Sequence, residues 1–158
     1  RDPEMSRGLG DVYKRQIVLC LSDGLLAQCG IDLDTHRGEI AAGNLSALCD
    51  CPFVLGSAED IGGRIGRGLL RSSGVSPVSK ATSENVETLL ALCEQGVGAC
   101  FCPENLLHTA LSPAQLTHLH ILPLCPEASY PICFGYLSRS YPWSVLSEFI
   151  RIAREQTA

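Results

Sequence analysis

Apolar positions along the chain fall into short runs and stripes that read as alternating strands and helices. The uninterrupted run 17–21 predicts a strand, and a polar stretch follows through Gly43. Asn44 is placed to cap a short helix over 45–48, ahead of a strand at 52–55 and a turn at Gly56. Ser57 is the expected cap of the next helix, about 58–72, where Ile61, Ile65 and Leu69 recur every fourth residue and Gly74 supplies a C-terminal stop. That helix carries Gly62, Gly63, Gly66 and Gly68, each costing about 1 kcal/mol of propensity relative to alanine. Gly62 and Gly66 share a face, which predicts close approach of a neighbouring backbone. A phosphate-binding role is the weaker reading, because neither G-x-G-x-x-G nor G-x-x-x-x-G-K-[ST] is matched. Arg64, Arg67 and Arg71 form a further stripe, read as a solvated face or a partner surface.

A short strand at 78–81 precedes the best-defined element, in which Val86, Leu89, Leu90, Cys93 and Val97 follow the helical period. Ser83 or Asn85 supplies its N-cap and Gly96 its stop, so the stretch Thr82-Ser83-Glu84-Asn85 lies where unpaired backbone N–H groups point outward. Two readings stand side by side there: an anion site, or simple caps. Further along, 97–102 reads as a buried strand ended by Pro103, 104–110 as a short helix, Ser112-Pro113 as a turn and 120–124 as a strand. After a loop at 126–129, residues 131–137 alternate Ile132, Phe134 and Tyr136 against Cys133, Gly135 and Leu137, the pattern of a strand. Pro142 opens a last helix, 143–156, with Leu146, Phe149, Ile150 and Ala153 as its apolar stripe. Strands separated by helices imply an α/β fold with a largely parallel sheet.

Composition narrows the function classes. At 158 residues, 46% hydrophobic and 18% charged, the chain suits one folded domain of ordinary size. Its longest clean apolar run is far short of the roughly 20 residues that cross a bilayer. The net charge of −5 disfavours contact with a phosphate backbone, so any nucleic-acid function is expected elsewhere. Residues 1–16, charged and without apolar period, read as a non-native segment of the kind left by sequencing-adapter read-through, with the true N-terminus missing. The nine cysteines are odd in number and scattered over apolar stretches, which favours a reducing, cytoplasmic home. Cys49/Cys51 and Cys100/Cys102 have C-x-C spacing that is compatible with a four-thiolate zinc site. Structural zinc more often uses C-x2-4-C, and residues two apart on a strand share a face, so Cys100 and Cys102 are read as buried strand positions. No nucleophile elbow or H-E-x-x-H occurs, and His108, His118 and His120 are read as surface residues. No catalytic role, cofactor or metal is expected.

The stretch SENVETLLALCEQGVGACFCPENLL resembles the LysR-type transcriptional regulators, in which a helix start, an apolar helix, a Gly-x-Gly turn, a strand and Pro-Glu follow in that order. CPFVLGSAED with the later Gly74-Val75-Ser76-Pro77, and the C-terminal strand and helix, resemble the same family. The resemblance covers roughly 17–158. It implies a periplasmic-binding-protein-like (type 2) effector domain, mainly one Rossmann-like lobe with part of the second: lobe II with crossover strands over 17–137, and a C-terminal helix, 138–158, belonging to lobe I. With that come a small-molecule effector, DNA contact only through a winged helix-turn-helix domain outside this chain, no membrane association, and a homo-dimer or tetramer when full length. The helix-start N–H groups and the matching family segment place an anionic or zwitterionic effector at Ser83, Glu84 and Asn85. Ser57 adds a hydroxyl there, and Pro103 and Tyr130 an apolar wall. The alternative is a solute-binding protein of a transport system with the same two-lobed fold.

Overall fold

The structure, a computed structural model, describes residues 13–132 and 144–157. Two compact units divide the chain: Arg15–Tyr130, and a second formed by Arg1–Lys14 together with Pro131–Ala158.

The larger unit is organised by β1 (Tyr13–Ser22), which is four residues longer at its start than the apolar run predicts. The Gln16 amide, which donates to the carbonyl of Leu124 at 2.8 Å, ties the strand down ahead of Ile17. Along β1 the side chains alternate between two cores: Ile17, Leu19 and Leu21 enter one, Val18 and Cys20 the other. Ser22 then caps α1 (Asp23–Cys29), and Asp32 caps α2 (Leu33–Ala41). Both helices lie inside the stretch that reads as merely polar. They are short and bury only Leu25 and Leu26, and Leu33 and Ile40, too few apolar positions to print a helical stripe. Next comes a single 3-10 turn, Ser46–Leu48, rather than a capped α-helix; Asn44 Oδ1 accepts from the Ser46 N–H at 3.1 Å and turns the chain one residue early.

The βαβ unit that follows comprises β2 (Pro52–Leu55), α3 (Ile61–Ser72) and β3 (Val78–Thr82). The expected cap Ser57 is corrected to Asp60, whose carboxylate accepts from the Gly63 N–H at 2.8 Å. Asp60 stands immediately before the first apolar position of the stripe, and aspartate caps as well as serine does. The glycine face of α3 lies against the strand beneath it: a Cβ on Gly62 would sit 3.1 Å from the Phe101 carbonyl oxygen, and one on Gly66 would enter the Phe101 ring. Close packing is therefore what Gly62 and Gly66 provide.

α4 (Val86–Glu94) follows, capped by Asn85 and closed at Gly96 with φ +75, so Val97 falls beyond the helix. β4 (Cys100–Pro103) leads without a break into α5 (Glu104–Ala110). The expected turn at Ser112-Pro113 is instead a one-turn helix, α6 (Pro113–Leu116), in which Ser112 and Gln115 form a reciprocal capping box. β5 (Leu119–Pro123), a 3-10 turn at Pro126–Ala128 and β6 (Ser129–Ile132) follow, the larger unit ending at Tyr130 within β6. β6 starts two residues before the predicted strand, whose positions 133–137 lie outside the described residues. In the second unit α7 (Ser144–Thr157) exposes Val145, Phe149 and Ile152. Trp143, the predicted first residue of that helix, is outside the described residues.

Pairing refines the expectation of a largely parallel sheet. β2 and β3 are parallel, and Phe53 bridges Ala99 in parallel at the head of β4. β1, however, runs antiparallel to β4 and to β5. β4 and β5 therefore share one direction, and β1 is a reversed strand threaded between them. α1, α2 and α3 contribute to the core on one face of this sheet, and α4 and α5 to the core on the other. The larger unit is thus a three-layer α/β/α sandwich.

Layering also separates the two C-x-C pairs. Cys51 belongs to one core and Cys49 is exposed, while Cys100 and Cys102 lie in the opposite core. Among the described residues no group of three or more His, Cys, Asp or Glu side chains is arranged to hold a metal ion. His118 and His120 both approach Asp23, at 3.9 and 2.7 Å, and tie the start of α1 to the start of β5.

Candidate functional site

Parallel strands present their carboxyl ends on one edge, and in open α/β sheets that edge is where loops and helix starts gather polar groups. β2 ends into Gly56 and Ser57, β3 into Ser83, and β4 at Pro103. A backbone hydrogen bond from the Ser83 N–H to the Leu55 carbonyl, 3.2 Å, fixes the first two ends side by side. The structure therefore brings Ser57, Ser83 and Pro103 to one edge of three neighbouring strands.

Each of these residues already has local work. Ser57 Oγ accepts from the Asp60 N–H at 3.2 Å and shapes the loop into α3. Ser83 Oγ accepts from the Asn85 N–H at 3.1 Å, an ST-turn that sets the direction of α4. Asn85 Oδ1 accepts from the Thr88 N–H at 3.1 Å, so of the two possible caps of α4 Asn85 is the one used. Glu84 between them is exposed. Pro103 is buried, pairs with Ile17 of β1 and lacks the N–H that a longer strand would need. Tyr130, on β6, is partly buried and packs against the core that contains Phe53 and Phe101. Burial pushes the Tyr130 hydroxyl above its ordinary pKa; Arg15 opposes that shift and Asp60 adds to it. Beside the start of α4, Asn85, Val86 and Glu87 face Leu106, Thr109 and Ala110 of α5 across an open pocket of roughly 250 Å³.

Sequence reasoning misses two residues of this edge. Asp60 places a carboxylate on the first turn of α3, where it satisfies Gly63 and acts on Tyr130. Its signal was present: an Asp directly before the first periodic apolar residue. Arg67 was assigned to a stripe with Arg64 and Arg71, yet its guanidinium turns inward and donates to the carbonyls of Gly56, 2.7 Å, and Gly63, 3.3 Å. No spacing rule reveals this, because the acceptor is a loop backbone eleven residues away. The consequence for charge is direct. The start of α3 is occupied by its own anion, whereas the start of α4 is capped by a neutral amide.

Comparison with known proteins places this architecture. The family model "LysR substrate binding domain" matches residues 10–158. No curated sequence matches the chain. Among solved structures, the regulatory domain of Synechocystis PCC6803 CcmR in complex with 2-PG superposes with a TM-score of 0.68 at 14% identity, covering 99% of this chain and 70% of that one. The effector-binding domain of QuiR in complex with shikimate gives 0.64 at 12% identity, over 94% of this chain and 64% of that one. Full-length BenM gives 0.61 at 18% identity, covering 98% of this chain and 46% of that one. This chain thus spans about two thirds of those isolated domains and about half of the full-length regulator. The match to the LysR substrate-binding family model supports the LysR-type regulators over the transport-associated alternative. A family model matched over nearly the whole chain, on a sheet with one reversed strand, places this chain in the LysR substrate-binding domain family.

Proposed function

We propose that the chain senses a small-molecule effector for a LysR-type transcriptional regulator, and that it does so by binding without turnover. The observation that carries this reading is the alignment of Ser57, Ser83 and Pro103 at the carboxyl ends of adjacent strands, held in register by the bond from Ser83 to Leu55. Ser83, Glu84 and Asn85 meet the polar or charged end of the ligand, Ser57 adds a hydroxyl, and Pro103 and Tyr130 form the apolar wall. Support for a small molecule comes from QuiR with shikimate and CcmR with 2-PG. DNA contact is assigned to a domain outside this chain, in keeping with a net charge of −5. Support for that assignment comes from CbnR, a full-length relative solved with its target DNA.

Under this reading Arg15–Tyr130 corresponds to lobe II and α7 belongs to lobe I. Residues 1–16 are read as a non-native, adapter-like segment, although the family match begins at residue 10 and Tyr13–Gln16 take part in β1. The intact protein is a cytoplasmic homo-oligomer. Among the described residues no helix is long and apolar enough to cross a membrane. Recovery of the genuine upstream coding sequence tests the proposal: a winged helix-turn-helix supports it, and a secretory signal peptide in that position overturns it.

A further inference from the structure

Four cysteines with no part in the proposed effector site meet in the core beneath α4. Cys20 on β1, Cys93 on α4, and Cys100 and Cys102 on β4 are all fully buried. Register explains the gathering: Cys20 lies directly opposite Cys100, and Cys102, two residues on, projects from the same face. Cys20 Sγ and Cys102 Sγ are 3.8 Å apart. Bonded sulfurs sit about 2 Å apart and this pair is diagonal across the ladder, so closing the contact to a disulfide takes side-chain rotation together with a local backbone shift of β4 along β1. Cys93 is otherwise engaged, its S–H donating to the Cys20 carbonyl at 3.2 Å.

We propose that Cys20 and Cys102 close a reversible disulfide on exposure to a peroxide, pinning β4 to β1 immediately before Pro103. The step balances as follows. Cys20, as thiolate, attacks one peroxide oxygen; the O–O bond breaks, leaving a sulfenic acid and, after proton uptake, one water. The Cys102 sulfur then attacks the Cys20 sulfur, the S–O bond breaks, and the hydroxyl leaves as a second water with the proton that Cys102 gives up. Two thiols are oxidised by two electrons and one peroxide is reduced. Either sulfur can be written as the one first oxidised, since the contact between them has no fixed donor, and the balance is the same. A peroxide is close to water in size and reaches the buried thiols through local opening, whereas Cys49 is exposed and meets it directly. The link would restrain Pro103, which pairs with Ile17 next to the bonded strands. An effect of oxidation on effector affinity rests on the proposed function; the disulfide itself does not.

The test treats the reduced full chain with hydrogen peroxide, alkylates remaining thiols after denaturation, and maps linked peptides by mass spectrometry. Expected is a loss of about two buried thiols per chain, a predominant Cys20–Cys102 peptide that dithiothreitol removes, and the same linkage in Cys49→Ser. In Cys102→Ala that peptide is lost. Hydrogen exchange over Cys100–Pro103 should slow on oxidation of the wild type. A folded wild-type chain that oxidises only at Cys49, or links Cys20 to Cys100 instead, overturns the proposal. Mapping is done without ligand, so its failure leaves the effector reading intact, and an absent effector response leaves the disulfide standing.

Discussion

Replacing two glycines of one helix, Gly63 and Gly68, by alanine should have opposite effects. An alanine gains about 0.8–1.0 kcal/mol over glycine in a helix interior, which applies to Gly68 and is an upper bound for Gly63, the third residue of α3. At Gly68 nothing lies within 4 Å of the added methyl, so Gly68→Ala should stabilise the chain by most of that amount. At Gly63 the methyl would be 2.8 Å from both the carbonyl carbon and the oxygen of Gly56, with the Ser57 carbonyl nearer still. These are backbone atoms and cannot rotate away. Either the loop or the helix must shift, at the roughly 1–3 kcal/mol typical of overpacking. A shift would also lengthen the 2.8 Å bond from Gly63 to Asp60, a cap worth about 1 kcal/mol. After subtracting the propensity gain, Gly63→Ala should cost about 1–3 kcal/mol, so the two variants should differ by about 2–4 kcal/mol. Urea denaturation followed by far-UV circular dichroism measures this, with the m-value held as a check that the same transition is compared. If Gly63→Ala is as stable as Gly68→Ala, the close seating of α3 on the Gly56-Ser57 loop is wrong.

Other expectations follow from the same geometry. Asn85→Ala should lower stability by about 1 kcal/mol through loss of the α4 cap, and Ser83→Ala combined with Asn85→Ala should weaken binding of the effector, once identified, by roughly 1–3 kcal/mol in calorimetric titration with melting monitored in parallel. Unchanged affinity would leave the pair as structural turns. The isolated chain should show no retention on duplex DNA at physiological salt, and retention in a gel-shift assay would contradict the assignment of DNA contact to another domain. The Asp32 carboxyl is held below its ordinary pKa first by the Thr35 hydroxyl and then by the Asp34 N–H. Because the folded value is the depressed one, its support of α2 is present above the usual aspartate range and is lost as pH falls through the lower folded value. Thr35→Val should raise the Asp32 midpoint in an NMR carboxyl titration, and no movement would remove the hydroxyl as the main cause.

The parts legible in the sequence are those where one physical rule acts alone. The stripe of Val86, Leu89, Leu90 and Cys93 predicts α4 because burial on one face sets the period, and Pro52–Leu55 and Glu104–Ala110 fall where predicted. The stops at Gly74 and Gly96 hold because both residues take positive φ, which glycine adopts without strain. What escapes is set by partners distant in sequence. α1 and α2 bury two residues each, and their stability comes from docking on a core assembled by β1 and β5. The reversal of β1 is invisible locally, since a buried strand reads the same in either direction. At the candidate site, Ser83 and Asn85 were recognisable as residues of a helix start. Arg67 was not, because its role depends on where the Gly56 carbonyl points.

The two helix starts at the strand ends differ in a way that bears on ligand chemistry under the proposed reading. Both α3 and α4 begin at the carboxyl end of a strand, so each directs its positive macrodipole end toward the same edge. At α3 that potential is already met by the Asp60 carboxylate, bound to Gly63. An incoming anion there would meet a like charge. At α4 the cap is the neutral Asn85 amide, and the nearest anion of its own is Glu87 in the first turn, which compensates part of the potential without sitting in the cap. Under the proposed reading, an anionic ligand group at Ser83 and Asn85 avoids the cap-bound carboxylate that stands next to Ser57 at Asp60. Glu84 complicates this only if its side chain turns inward; exposed as it is, it can remain in water or meet a positive group. Asp60 and Glu84 together then favour an ammonium on the same molecule, with Ser57 as its hydroxyl acceptor. Under the proposed reading, an anionic ligand group is thus best received at the Ser83 and Asn85 end and a positive group at the Asp60 end, the Arg67 guanidinium being already engaged by the Gly56 and Gly63 carbonyls.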